Sequence, residues 1–77
     1  MVSFDIQLTC INSVKLLVDA ADHISCQVTV THGTQMTDAN SILGILALNL
    51  SVPVTVNVYG TQEQADTLRK AVSAYLA

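Results

Sequence analysis

The spacing of apolar positions switches repeatedly along this chain between a period of two and one near 3.6. Phe4, Ile6 and Leu8 alternate with Ser3, Asp5, Gln7 and Thr9, which predicts a half-buried strand, and Cys10 is expected to continue its inward face. Asn12-Ser13 then offer a helix N-cap, and Val14, Leu17, Val18 and Ala21 recur at i, i+3, i+4 and i+7. This spacing predicts an amphipathic helix of about ten residues ending near Asp22-His23. A second alternation sets Ile24, Cys26, Val28 and Val30 inward against Ser25, Gln27, Thr29 and Thr31. His32-Gly33-Thr34 is turn chemistry, and Gln35 to Thr37 makes a short return strand, so the pair reads as a hairpin.

Asp38-Ala39-Asn40-Ser41 supplies helix-start residues before Ile42 to Leu48, a stretch apolar nearly all round and weakened as an isolated helix by Gly44. Ile45 and Leu48 are expected inward, Leu43 and Leu46 outward. Pro53 suits the first position of a third long strand, in which Val54, Val56 and Val58 alternate with Thr55, Asn57 and Tyr59. Gly60 ends it, Thr61 and Gln64 form a capping box, and Ala65, Leu68, Val72, Tyr75 and Leu76 carry a last helix to the C-terminus, with Arg69 and Lys70 in its second half. The order is strand, helix, strand, strand, short helix, strand, helix. Its natural packing is an α+β open-faced sandwich: one domain over residues 1–77, with a four-stranded antiparallel sheet covered on one face by three helices.

Composition narrows the function classes. Of the 77 residues, 51% are hydrophobic and 12% charged, enough for a packed core and few enough charges that apolar surface is expected to meet a partner. Three basic against six acidic residues leave no footprint for a phosphate backbone, and Phe4, Tyr59 and Tyr75 are the only aromatics, so nucleic acid is not an expected partner. The longest apolar run, Ile42 to Leu48, is far short of the ~20 residues that span a bilayer, so no membrane is expected. Met-Val-Ser-Phe-Asp shows no signal-peptide pattern, and two cysteines outside any metal or redox spacing point to a reduced, cytoplasmic protein without metal or cofactor. No nucleophile–base pair and no glycine-rich phosphate loop stands in the sequence, so a stand-alone enzyme is not expected.

The string Asn40-Ser41-Ile42-Leu43-Gly44-Ile45-Leu46-Ala47-Leu48-Asn49-Leu50 resembles the Lys-Ser-Ile-Met-Gly-Val-Met-Ser-Leu-Gly segment of HPr, the small phosphocarrier family of the bacterial sugar phosphotransferase system. Ala21-Asp22-His23-Ile24 leading into Cys26-Gln27-Val28-Thr29-Val30, and the strand–Gly60–helix ending, support the resemblance over nearly the whole chain. The family carries phosphate on a histidine in a Gly-Leu-His-x-Arg-Pro loop before its first helix. Here Thr9-Cys10-Ile11-Asn12-Ser13 joins strand to helix directly, about five residues shorter and without histidine, arginine or proline, and about two residues are missing before Pro53. The resemblance therefore implies an HPr-like protein that cannot relay phosphate from phosphoenolpyruvate on histidine. It would act as a regulatory or interaction module.

The same resemblance implies that Ser41 matches a serine phosphorylated by a dedicated HPr kinase in some bacteria. Phosphate there would add up to about two negative charges beside an apolar patch; Ser41 is in any case expected to cap a helix. It also implies that Ile42, Leu43 and Leu46 match positions that dock into phosphotransferase components, and exposure of these residues would mean partner binding or homo-oligomerisation. Asn12 and Ser13 mark a helix start able to face an anion. Cys10, near that start, could in principle take a phosphoryl group as a thiolate, but is expected to be a small buried hydrophobe. His23 and His32, the only imidazoles, have no partner at metal spacing and do not match the carrier position.

Overall fold

The computed structural model describes residues 1–77 as β1 (Val2–Ile6), α1 (Ile11–Asp22), β2 (Gln27–His32), β3 (Gln35–Asp38), α2 (Ile42–Leu46), β4 (Val54–Tyr59) and α3 (Gln62–Ala71), followed by a single 3-10 turn at Ser73–Tyr75. The strands form one antiparallel sheet in the order β1-β4-β2-β3. Because side chains alternate across a strand, register decides which residues share a face. Phe4 pairs with Val56, Val56 with Val30, and Val30 with Thr37, so these four lie in one row beneath the helices. Val2, Val58 and Val28 form the next row.

The helices meet that face with the residues their spacing selects. Val14, Leu17, Val18 and Ala21 of α1, Ile45 of α2, and Ala65 and Leu68 of α3 join Ile6, Val30, Val54, Val56 and Val58 in one continuous apolar core. Gly33 closes the β2–β3 hairpin with φ +59°, the left-handed region in which only glycine has no steric penalty. The Thr61 hydroxyl accepts from the Gln64 N–H at 3.1 Å, and the Gln64 carboxamide oxygen accepts from the Thr61 N–H at 2.9 Å, completing the capping box of α3. No helix is long and apolar enough to cross a membrane.

Four features depart from the sequence pattern. α1 starts at Ile11 with Cys10 as its N-cap, two residues ahead of the Asn12-Ser13 cap expected. Cys10 itself is exposed: the alternation of burial runs past the end of β1 as far as Leu8 and stops where the chain turns into α1, with Cys10 as its N-cap. Thr29 and Asn57 point away from the helices and are nonetheless buried. On the outer face of the sheet the Ser3 hydroxyl donates to Asn57 Oδ1 at 2.9 Å, and Asn57 Nδ2 donates to the hydroxyls of Thr29 and Thr31, each at 3.2 Å. This ladder satisfies the buried amide and covers it with its own neighbours.

Finally, α3 does not reach the C-terminus. It ends at Ala71, and the chain turns back along the outer edge of β1: the Gln7 N–H donates to the Tyr75 carbonyl at 2.7 Å and the Ala77 N–H to the Asp5 carbonyl at 3.1 Å. Apolar spacing alone would have continued the helix through Tyr75 and Leu76. The unpaired edge of β1 offers those residues backbone partners instead, and Leu76 bridges to Ile6.

Candidate functional site

The β1–α1 connection is held by Ser13, the third residue of α1. Its buried hydroxyl accepts from the backbone N–H groups of Thr9 (3.1 Å) and Cys10 (3.2 Å) and donates to the Cys10 carbonyl at 2.6 Å. Three bonds on one oxygen fix the tight entry into the helix, which explains why a small hydroxyl side chain sits at an otherwise core-facing position. The side-chain amide of Gln7 donates to the Leu50 carbonyl at 2.9 Å and ties this connection to the one between α2 and β4. The start of α1 and the chain leaving α2 thus lie on one end of the molecule.

At that end Cys10 replaces an oxygen-bearing cap, its sulfur facing the Ser13 N–H. The Ser13 backbone N–H lowers the thiol's pKa from its ordinary value; slight burial opposes this, and the Asn12 N–H and the Thr9 and Ser13 side chains lower it further. Free amides at a helix start stabilise a neighbouring anion, so this cap position favours the thiolate form of Cys10. Cys10 is therefore an exposed, acidified thiol, not the buried hydrophobe expected from the alternation. Asn12 is exposed at the same helix start, while the Ser13 hydroxyl is committed inward. Cys26 is half-buried and also a free thiol.

α2 forms the second half of the site. Ser41 is its N-cap, and the Ser41 hydroxyl accepts from the Gly44 N–H at 3.2 Å. The five-residue helix splits its apolar side chains by face: Ile45 is fully buried, Ile42 is half-buried, and Leu43 and Leu46 are 82% and 41% exposed. Gly44 brings α2 against β3 at Thr37, where a Cβ would run into the Thr37 hydroxyl. α2 also flanks α1, and Leu16 and Ile42 line a shallow groove between the two helices. Ile11 and Leu16 add exposed apolar surface on α1.

Neither histidine stands at the start of α1. His32 ends β2 level with Ile6 and Val54, at this end of the sheet but two strands away from β1, and His23 is at the opposite end of α1. His23 is the C-cap of α1, where Nδ1 lies 2.7 Å from the Asp19 carbonyl; that carbonyl, then the Asp19 and Asp22 carboxylates, raise its pKa above the ordinary value. A cation there complements the helix dipole. His32 closes β2 at the hairpin. No group of His, Cys, Asp and Glu side chains is arranged to hold a metal ion. The feature that sequence reasoning placed wrongly, the exposed thiol, carried one signal: it directly precedes a helical apolar pattern, where a cap belongs.

Four antiparallel strands under three helices, with the start of α1 and the chain leaving α2 at one end, define a small α+β open-faced sandwich. A family model described as "PTS HPr component phosphorylation site" matches residues 12–77, and the chain belongs to that family, the HPr phosphocarriers of the phosphotransferase system. The crystal structure of a phosphocarrier protein HPr from Bacillus anthracis str. Ames superposes with a TM-score of 0.69, covering 99% of this chain and 96% of that one, at 20% sequence identity. That likeness is one of fold. No curated protein matches the sequence.

Proposed function

We propose that this HPr-family chain acts in the cytoplasm as a regulatory or interaction module and does not carry phosphate on histidine. The observation that carries the reading is the occupant of the α1 start. Where the resemblance puts the carrier imidazole, this chain has the thiol of Cys10, and its two histidines stand at the far end of α1 and in the β2–β3 hairpin. α1 has 12 residues, about 18 Å of helix, so His23 is out of reach of a donor bound at the other end. The apolar pair Leu43 and Leu46 beside that end is the surface through which such a module would meet protein partners, among them phosphotransferase components.

Ser41 is the proposed regulatory site. A serine kinase would have to draw its hydroxyl from the Gly44 N–H, and the phosphate would place about two negative charges at the edge of the Leu43 patch. Apolar docking there would weaken. A second reading has an observation in its favour, the exposed and acidified Cys10: its thiolate could attack the phosphorus of a phosphorylated donor, the donor's bond to phosphorus breaking as the S–P bond forms. In that case the chain is a carrier with sulfur in place of nitrogen.

Intact mass separates the readings. The chain is incubated with phosphoenolpyruvate and the first phosphotransferase enzyme, and separately with ATP and an HPr serine kinase. The module reading expects no phosphoryl group from phosphoenolpyruvate, and from ATP one that disappears in Ser41→Ala. A phosphoryl group gained from phosphoenolpyruvate and lost in Cys10→Ala overturns it in favour of the thiol carrier.

A further inference from the structure

The solvent face of α1 is ordered by charge. Asn12, Lys15, Leu16, Asp19 and Asp22 share it at helical spacing, and all are exposed. Its first half carries an amide and an ammonium, its second half two carboxylates, and Leu16, 39% exposed, sits between them. The same residues, with Ile42, line the groove between α1 and α2. On the α2 side there is no charge to match: from Ala39 to Gln62 the chain has no Asp, Glu, Lys, Arg or His. The opposite face of the molecule differs in kind, since the outer surface of the sheet is the closed polar ladder through Asn57.

We infer that this α1/α2 face binds a second copy of the chain, with a two-fold axis crossing α1 at the level of Leu17. The inference deepens the interaction-module reading and rests on it. Such an axis stacks α1 antiparallel on its copy and α2 on its copy, so residues equidistant from Leu17 meet. Lys15 then faces Asp19 of the second copy, and Asn12 faces Asp22, each pairing made twice by symmetry. Leu16 meets apolar surface at the centre, and the uncharged α2 segments with Leu43 and Leu46 stack without like-charge repulsion. A parallel arrangement would set Lys15 against Lys15 and Asp19 against Asp19. A strongly acidic or basic partner would meet half of the face with the wrong sign. The pattern fits its own copy, reversed.

Area sets the strength. The chain exposes 4349 Å², and an interface of ordinary size takes about 800 Å² from each partner, close to a fifth of that surface. One side of a molecule this small can supply it, but the apolar centre is short and the charged pairs lie at the rim. The dimer therefore belongs to the micromolar class.

Sedimentation equilibrium from micromolar to millimolar concentration tests the inference on the full chain. The wild type should pass from monomer to dimer. Lys15→Glu and Asp19→Lys should each raise the dissociation constant about tenfold, and the double variant should return it to within about threefold of wild type. All these positions are exposed, so far-UV circular dichroism should not change; if Lys15→Glu is poorly folded, Lys15→Gln tests the same contact. A monomer at every concentration overturns the inference, as does a double variant no tighter than the singles. A monomer that gains no phosphoryl group from phosphoenolpyruvate refutes the dimer and leaves the module reading standing, whereas a dimer that gains one refutes the module reading and not the dimer.

Discussion

Gly44 is the point at which the position of α2, and with it the exposure of Leu43, is set by a single missing methyl group. A Cβ at this position collides with the Thr37 hydroxyl, and it also lies 3.0 Å from the Ser41 hydroxyl and 3.1 Å from the Thr37 Cβ. In an open helix Gly→Ala stabilises by up to about 1 kcal/mol through backbone entropy. Here overpacking opposes it with a cost of about 1–3 kcal/mol, since α2 must lift from β3 or Thr37 must leave its rotamer. The full open-helix gain is not expected in a five-residue helix, so Gly44→Ala is expected to destabilise by about 1–2 kcal/mol. For a chain of this size that is a large share of the total stability and lowers Tm by roughly 5–12 °C.

Urea denaturation of wild type, Gly44→Ala, Thr37→Ala and the double variant measures the effect and its cause. If the collision with Thr37 is the mechanism, Thr37→Ala should recover most of the loss in the Gly44→Ala background, with a coupling energy above about 0.5 kcal/mol. A Gly44→Ala protein as stable as wild type or more so would show that helix propensity wins and that the close approach of α2 to β3 is loose. Destabilisation without rescue would place the strain at Ser41 instead.

The remaining predictions divide the site from the core and follow the two perturbed titrations. Leu43→Asp, at an 82% exposed position, should cost less than about 0.5 kcal/mol, whereas Ile45→Ala, two residues on and fully buried, should cost about 2–5 kcal/mol; comparable urea midpoints for the two would refute the division of α2 by face. Iodoacetamide should alkylate Cys10 faster than the half-buried Cys26, with the rate for Cys10 rising at a lower pH than for an ordinary thiol, read by peptide mass; equal rates would contradict the cap geometry. His23 has a raised pKa, so the stability its cation contributes is present in full below the ordinary imidazole value and is lost as pH rises through the raised one. Urea midpoints should accordingly fall slightly between about pH 5 and about pH 8 in wild type and less in His23→Gln; the same slope in both would rule out the C-cap role.

Much of the fold was legible because burial follows period. Val14, Leu17, Val18 and Ala21 were marked by spacing alone, as were Val54, Val56 and Val58, and all seven are in the core. Capping chemistry was equally readable: Ser41 and Thr61 sit where their side chains can accept from the third residue on. What stayed hidden depends on register or on tertiary edges. The burial of Asn57 follows from lying between Ser3 and Thr29, neighbours separated from it by 54 and 28 positions in sequence. The departure of Tyr75 and Leu76 from helix follows from an open edge on β1 that no local pattern announces. Cys10 was misplaced for a related reason: the alternation holds as far as Leu8, and at Cys10 the chain has already turned into the cap of α1. Within the site, the outward placement of Leu43 and Leu46 was readable from an excess of apolar residues on too short a helix. The acidified thiol needed the turn that Ser13 ties.

The sheet order β1-β4-β2-β3 also governs how the chain can fold in time. β2 and β3 are joined by a two-residue turn and can pair within microseconds, but the central β4 must close a loop of more than twenty residues to reach β2. β1 waits longest, since Ser3 meets Asn57 only when 54 positions of chain have been brought round. Pairings this distant in sequence slow two-state folding well below the rate of helical proteins of equal length. On a ribosome the first strand to be made is thus a strand without a neighbour until the whole of β4 has emerged, and its apolar side, Val2, Phe4 and Ile6, must be kept from other chains for that interval.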